Sequence, residues 1–298
     1  MKECMEGAFV ALGTFDGLHI GHKAVITAEK TEYQRKIVLM FNEHPLVRLK
    51  GENPGELITK GKAQSILDGW GVQAEYVDFS EICSLSPEDF VDEILVKKYN
   101  AKSLACGFNY RFGKNASADA NDLMRICAER EIKVTVVEAV KYEGEPVSSS
   151  RIRRALAEGD VKLANAMLGR CFSYDFPVLH GDERGRTLGF PTINQFFTES
   201  FAVPEFGVYA SFTKLYGKIY PSVTNVGIRP TIGNSEKRSE TNIIGFEGDV
   251  YGECPEVFLI GKIRDEMKFN NLDELKLRME MDKAIALAML KGESVCEF

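Results

Sequence analysis

Apolar and polar positions in the first half of the chain alternate in blocks. Short apolar-rich runs at Phe9–Leu12, Lys36–Phe41, Glu75–Phe79, Ser103–Gly107 and Lys133–Val137 are separated by longer stretches with helical spacing. Runs this short, bounded by turn residues, predict buried strands. The stretches between them predict helices opening near Ile20–Lys23, over Lys60–Trp70 up to Gly71, from Ser86-Pro87, and over 119–130. Ser86 supplies an N-cap and Pro87 a first-turn residue with no N–H to lose. Asn42–Pro45 predicts a turn stopped by its proline. Strand and helix in alternation predict a parallel sheet with helices on both faces, binding ligands at the carboxyl ends of its strands.

The pattern changes after Gly159-Asp160. A short helix over Val161–Leu168 ends at Gly169. Short strands split by Gly, Pro and Asn follow at Val178–His180, Gly207–Phe212, Ile219–Val223, Thr241–Ile244 and Val257–Ile260. This spacing predicts a small antiparallel β-barrel, closed by a helix from Leu272 to about Met289. The expected division is 1–165 and 166–298, with no internal repeat and no low-complexity tract.

Composition narrows the classes. The 298 residues are 44% apolar and 27% charged, ordinary for a globular chain with room for two cores. No run of 18 apolar residues occurs and the N-terminus lacks a signal-peptide layout, so the expected location is cytoplasmic, with no membrane partner. Seven scattered cysteines without CxxC argue against a disulfide framework or a zinc site. A net charge of −7 gives no electrostatic case for nucleic acid. Small anionic substrates remain open, because a local basic patch can oppose the global sign.

The candidate chemistry begins at Phe9–Ile26, FVALGTFDGLHIGHKAVI. Gly13 ends a strand and Thr14–Gly17 turns the chain. His19 and His22 then sit three apart on an opening helical turn, on one side, beside backbone N–H groups that favour anions. Imidazoles and N–H donors placed so suit charge growing on phosphoryl oxygens. The same residues also admit a shared metal ion, without a third ligand nearby, or a plain turn with two solvent-facing histidines. Gly107–Gly113, with Asn109 and Arg111 among aromatics, suits a loop gripping a planar or phosphorylated ligand. Val147–Arg153 places three serines ahead of a helix, with Arg153 one turn in, which makes an anion site or a plain capping run. In the second half, Gly181–Phe190 is a Gly/Arg-rich loop able to wrap phosphate. Thr192 and Asn194 offer hard oxygen ligands for Mg²⁺. Glu240 stands at a strand start after the loop 233–238, as a candidate base, with Glu236, Glu247 and Asp249 as rivals.

Together these stretches resemble the prokaryotic bifunctional riboflavin kinase/FMN adenylyltransferase (FAD synthetase) family. Gly13–His22 is similar to its GxFDGxHxGH signature, Gly107–Gly113 to GxNFxFG, Val147–Arg153 to SSTxIR with Ser150 for Thr, and Gly185–Asn194 to GxxLGFPTAN with Ile193 for Ala. Gly207–Tyr209, Asn225–Thr231, Asp249–Gly252 and Arg264–Phe269 match further blocks in order. The resemblance implies a Rossmann-like HxGH nucleotidyltransferase domain followed by a riboflavin kinase-like barrel with a C-terminal helix. It implies riboflavin, FMN and ATP as substrates, Mg²⁺ as cofactor, and a monomer or weak oligomer. It carries catalytic roles onto Glu240, His19, His22 and Arg153. Nucleotide or phosphate contacts fall on Gly13, Phe15, Asp16, Gly21, Asn109, Ser149, Ser150, Gly181, Gly185 and Arg186. Flavin contacts fall on Asn109, Arg111, Thr192 and Glu240, and metal ligation on Thr192 and Asn194. Two departures leave alternatives open. Asn242 stands where the family has His, and the segment 114–119 lacks a customary glycine. A chain keeping one activity, or a non-catalytic flavin- or nucleotide-binding regulator, would also fit.

Overall fold

The computed structural model describes residues 5–180, 190–230 and 235–295. The chain packs as two compact units. One runs up to Pro54 and resumes over Lys60–Ser148; the other takes Gly55–Thr59 and the chain from Ser149 on.

The first unit is built on five parallel strands: β1 Met5–Leu12, β2 Tyr33–Phe41, β3 Gln73–Val77, β4 Ala101–Gly107 and β5 Lys133–Val137. Their order across the sheet is β3-β2-β1-β4-β5. The helices are α1 Ile20–Ile26, α2 Pro45–Lys50, α3 Lys60–Gly69, α4 Phe79–Ile82, α5 Pro87–Asp89, which runs on as a π-type helix over Phe90–Lys98, and α6 Ala120–Ala128. One face of the sheet buries Val10, Leu12, Ile37, Leu39, Leu104 and Cys106 against Phe90, Val91, Leu95, Leu123 and Ile126. This is the expected parallel α/β architecture. Its order has one consequence for function. The chain moves one way from β1 to β2 and β3, then crosses to place β4 on the other side of β1. The reversal point, where such sheets bind ligands, therefore lies between β1 and β4.

Two local expectations change. Pro45 does not stop a turn; it opens α2, with His44 Nδ1 accepting from the Leu46 N–H at 3.2 Å. A proline in the first turn costs no helical hydrogen bond. Strand β3 ends at Val77, two residues earlier than the apolar run suggests, because Phe79 begins α4.

The second unit opens with α7 Ser149–Ala157 and α8 Val161–Leu168. Gly169, at φ 71°, ends α8 in the left-handed conformation that glycine adopts freely. Seven strands follow: β6 Phe172–Tyr174, β7 Val178–Leu179, β8 Ile193–Phe196, β9 Gly207–Leu215, β10 Lys218–Pro230, β11 Ser235–Ile243 and β12 Glu256–Arg264. Every pairing is antiparallel, in the order β6-β12-β9-β10-β11-β8-β7. The two edge strands, β6 and β7, are joined by only residues 175–177. The four steps from Tyr174 to Val178 span about 14 Å at most, so the sheet curls until its edges approach. Gln195 Nε2 fastens the curl by donating to the carbonyls of Phe176 and Pro255, at 2.5 and 2.9 Å. Helix α9, Leu272–Leu290, packs Ala286 and Leu290 against Ala210, Phe258 and Ile260.

The strands here are longer and more numerous than the apolar runs predict. β11 begins at Ser235, so Glu240 lies in mid-strand, and Glu236–Arg238 are strand residues instead of loop. The reason is the inner face of the curled sheet. Ser211, Thr213, Ser222, Thr224, Ser239 and Thr241 are all fully buried. Five of the hydroxyls pair with one another, Ser211 with Thr224 at 2.8 Å, Thr224 with Thr241 at 2.9 Å, and Thr213 with Ser222 at 2.7 Å, while the Ser239 hydroxyl has no hydrogen-bond partner among the described residues. A strand whose buried side is hydroxyl and whose other side is charged shows no apolar alternation.

The first unit holds a buried carboxylate away from any motif. Glu29 follows α1, with its side chain 3% exposed. It accepts from Ser103 Oγ on β4 at 2.8 Å, Lys133 Nζ on β5 at 3.0 Å and the Thr31 N–H at 2.9 Å. Burial works against its charge, but the bonds from Thr31, Ser103 and Lys133 outweigh burial and hold its pKa down at about 2. A carboxyl lowered from an unfolded value near 4.5 stabilises the fold above that pH, by about 3 kcal/mol, and loses this contribution as the pH falls from 4.5 through 2. Glu29→Gln should therefore lower the melting temperature at pH 7 and differ progressively less from the parent below pH 4.5. Thermal melts across pH check this; a constant difference at every pH would contradict it.

Candidate functional site

Two places gather the chemistry, one in each unit. In the first, the loop after β1 is shaped by Phe15. Its ring is buried and lies against Gly13, where an added Cβ would meet ring atoms at 3.0–3.3 Å. Phe15, Gly17 and Leu18 all take positive φ, 52°, 81° and 43°. Two non-glycine residues held there mark a conformation maintained by its surroundings. The loop delivers His19 to the N-cap of α1, where Nδ1 accepts from the His22 N–H at 3.2 Å. The two imidazoles stack at 3.5 Å and 17°, with Phe15 edge-on to His22 at 5.3 Å. His19 is only 5% exposed, so it is not a solvent-facing histidine. The capping bond also corrects one expectation: the His22 N–H is taken by His19. With Nδ1 as acceptor, the proton of neutral His19 sits on Nε2. Gly21 is required by this packing, since a Cβ there would lie 3.1 Å from the His19 ring.

The second loop leaves β4 beside it. Leu12 pairs with Cys106, so the histidine loop and the Gly107–Gly113 loop depart from adjacent strands at the same level. Asn109 is exposed, with its Oδ1 folded back over Gly107. Arg111 is exposed too, in a two-residue strand paired with Ala118–Asp119 and 3.9 Å from the Asp119 carboxylate.

Ser149, Ser150 and Arg153 belong to the second unit. Helix α7 begins at Ser149, so Ser149 and Ser150 form its first turn instead of preceding it. Arg153 Nε donates to the Gly55 carbonyl at 2.7 Å. Gly181, Gly185 and Arg186 lie outside the described residues.

The second place is a cavity of about 320 Å³ between the outer face of the curled sheet and α9. Sheet register builds it. Asn194 pairs with Glu240, Glu240 with Asn225, Asn225 with Val208, and Val208 with Arg264. Paired residues project to the same face, and all five line the cavity with Thr192, Arg238 and Asn242. Arg238, Glu240 and Asn242 alternate along β11 on that face, while Ser239 and Thr241 point inward. Arg238 Nη2 lies 2.6 Å from Glu240 Oε1. Asn194 is 6% exposed, and its Oδ1 is a buried acceptor with no hydrogen-bond partner among the described residues. A buried carbonyl oxygen left so, with Thr192 lining the same cavity, fits a hard cation such as Mg²⁺. Of the rival carboxylates, Glu236, Glu247 and Asp249 are exposed and none lines the cavity.

Sequence reading missed Arg238, Asn225 and the Arg264–Asp282 pair. Arg264 grips both oxygens of Asp282 on α9 at 2.8–3.1 Å, and Asp282 also meets Arg278 at 3.0 Å. An arginine two residues before the candidate base on one strand was the signal available for Arg238. Nothing local signals that residue 282 meets residue 264.

A parallel α/β unit with a histidine pair at its topological reversal, and in the same chain an antiparallel barrel with a carboxylate- and amide-lined cavity, define a two-unit phosphate-transferring enzyme. Family models agree. Residues 1–151 match FAD synthetase and residues 168–290 match riboflavin kinase. The bifunctional riboflavin kinase/FMN adenylyltransferase of Bacillus subtilis is 36% identical, covering 96% of this chain and 94% of its own. That of Escherichia coli K12 is 32% identical, over 94% and 92%. The chain belongs to the bifunctional riboflavin kinase/FMN adenylyltransferase family. A Streptococcus pneumoniae crystal structure described as a macrolide-efflux protein has the same fold, with TM-score 0.86 and 31% identity over 95% of this chain and 94% of its own. In the present chain no helix among the described residues is long and apolar enough to cross a membrane.

The departure at Asn242 has a structural role. Its Nδ2 donates to the Pro191 carbonyl at 2.8 Å, tying the segment that carries Thr192 to β11. Asn242→Ala should speed amide exchange at Thr192 and Ile193 about 3- to 10-fold, the scale of one hydrogen bond. Hydrogen-exchange mass spectrometry checks this; unchanged exchange there would mean that other contacts hold the segment.

Proposed function

We propose that this chain makes FMN from riboflavin and ATP in its C-terminal part, about 166–298, and FAD from FMN and a second ATP in its N-terminal part, about 1–165. The observation that carries the reading is the register that sets Glu240 directly across from Asn194. A base and a metal-ligand candidate then face one cavity.

In the kinase reaction the primary ribityl hydroxyl is a poor nucleophile at neutral pH. Glu240 takes its proton as it attacks the γ-phosphorus of ATP, and ADP leaves. Thr192 and Asn194 hold Mg²⁺, which when bound neutralises charge on the phosphate oxygens. Thr192 also borders the flavin, and Gly181, Gly185 and Arg186 bind phosphate. In the adenylyl transfer a phosphate oxygen of FMN attacks the α-phosphorus of ATP and pyrophosphate leaves. His19 and His22 stabilise the charge that grows there. Gly13, Phe15, Asp16 and Gly21 shape the nucleotide loop, and Asn109 and Arg111 contact the ligand. Ser149, Ser150 and Arg153 bind phosphate. The enzyme works in the cytoplasm, on small molecules and not on nucleic acid, as a monomer or weak oligomer.

Replacing Glu240 by Gln keeps shape and polarity but removes the base. FMN formation should fall about 100- to 10,000-fold, while FAD formation from supplied FMN is unchanged. His22→Ala should do the reverse, lowering FAD formation about 100-fold or more and sparing riboflavin phosphorylation. Chromatography of products from riboflavin, FMN and ATP reads both. Retained kinase rate in Glu240→Gln, or normal FAD synthesis in His22→Ala, would sink the corresponding assignment.

A further inference from the structure

Three cations line the cavity of the second unit among the described residues: Arg238, Arg264 and Lys283. Arg264 is committed to Asp282 through both Nε and Nη2, and its Nη1 donates to the Asp265 carbonyl at 2.8 Å. Lys283 stands on α9, across the cavity from the sheet. Arg238 is different. Its side chain is 12% exposed, and it projects from β11 on the same face as Glu240, with Nη2 on Glu240 Oε1 at 2.6 Å.

That contact places a guanidinium beside the reacting atoms. A hydroxyl that gives its proton to Glu240 lies within about 3 Å of the carboxylate. The phosphorus it attacks lies about 3–3.5 Å further on. The γ-phosphoryl group therefore arrives within one arginine side chain's swing of the present Arg238 position. It also offers a stronger partner than Glu240 does, since it carries more charge and has oxygens spaced for the two parallel N–H bonds of a guanidinium.

Resting on the kinase reading above, we propose that Arg238 is a catalytic residue of the phosphoryl transfer. It turns from Glu240 to grip the γ-phosphoryl oxygens of ATP, beside the carboxylate that takes the hydroxyl proton. The ribityl oxygen forms a bond to the γ-phosphorus and the bond from that phosphorus to the β–γ bridging oxygen breaks. ADP departs with that electron pair. The hydroxyl proton passes to Glu240 and from there to solvent. Arg238 holds the equatorial oxygens throughout, as arginines do in other phosphoryl transfers.

The test compares nucleotides that differ only in the γ-phosphoryl. Calorimetry on the full chain measures ADP and a non-hydrolysable ATP analogue, and steady-state assays measure FMN formation. Arg238→Ala should bind ADP within about twofold of the parent and the ATP analogue about tenfold more weakly. Its kcat should fall about 1,000-fold, with part of the loss recovered on adding guanidinium ion. Arg238→Lys, which keeps charge without the planar fork, should fall between the two. FAD formation from FMN should be unchanged in both. Equal weakening for ADP and the ATP analogue, or a kcat within about threefold of the parent, would overturn the proposal. If circular dichroism shows Arg238→Ala unfolded, Arg238→Gln supplies the same comparison with length and polarity preserved. Failure of the unaltered chain to form FMN would instead overturn the kinase reading itself.

Discussion

The second unit depends on the registration of β11 between β8 and β10. The inward hydroxyls fix it: Thr241 meets Thr224 at 2.9 Å, and Thr224 meets Ser211 at 2.8 Å. Side chains alternate along a strand, so a slip of one residue would turn every hydroxyl outward and every charged group inward. The unslipped register puts Glu240 opposite Asn194 on one side and Asn225 on the other. The interior hydroxyl ladder and the exterior site are thus two faces of one constraint. Burying hydroxyls is tolerable because five of the six find a partner within the ladder, and their directionality specifies register more sharply than interchangeable aliphatic contacts would.

The same economy of position operates in the first unit. Phe15 fills the space over Gly13 and braces His22, and His19 caps the helix that His22 stands on. The imidazoles are held by one another, by backbone and by an aromatic edge, so their placement does not wait for a ligand. Preorganisation of this kind is what a site needs if it stabilises charge in a transition state without reorganising first. The sheet order adds location. The loops that carry the histidines and Asn109 leave β1 and β4, the two strands between which the topology reverses.

Each unit holds a carboxylate in place with hydrogen-bond donors. Glu29 is held by Thr31, Ser103 and Lys133, far from any proposed chemistry, and it ties the segment after α1 to β4 and β5. Glu240 is held by one arginine among the described residues, on the wall of a cavity. The buried carboxylate with three donors serves the fold. The half-buried one, on a cavity wall beside an arginine, is the one we assign to the reaction.

The sequence by itself determined the two architectures and most of the proposed site residues. Apolar blocks bounded by turn residues marked all five parallel strands within a few residues, since strands buried on both faces carry their signal in composition alone. The glycine and histidine spacing of Gly13–His22 marked the nucleotide loop, because backbone turns and helix openings are local events. The barrel was less legible. β6 and β8 went unpredicted, and β10 and β11 were foreshortened, because their buried side chains include hydroxyl, amide and aromatic groups, and β11 carries charged groups on its other face. No periodicity of apolar residues can report such strands. Only the tertiary structure decided that Arg238 and Glu240 form a pair on one wall, that Asn225 joins the row, that Asn242 secures Pro191, and that Asp282 reaches Arg264 from α9. Each of these is a contact set by registration or by helix docking, in which neither partner changes the local preferences of its own segment.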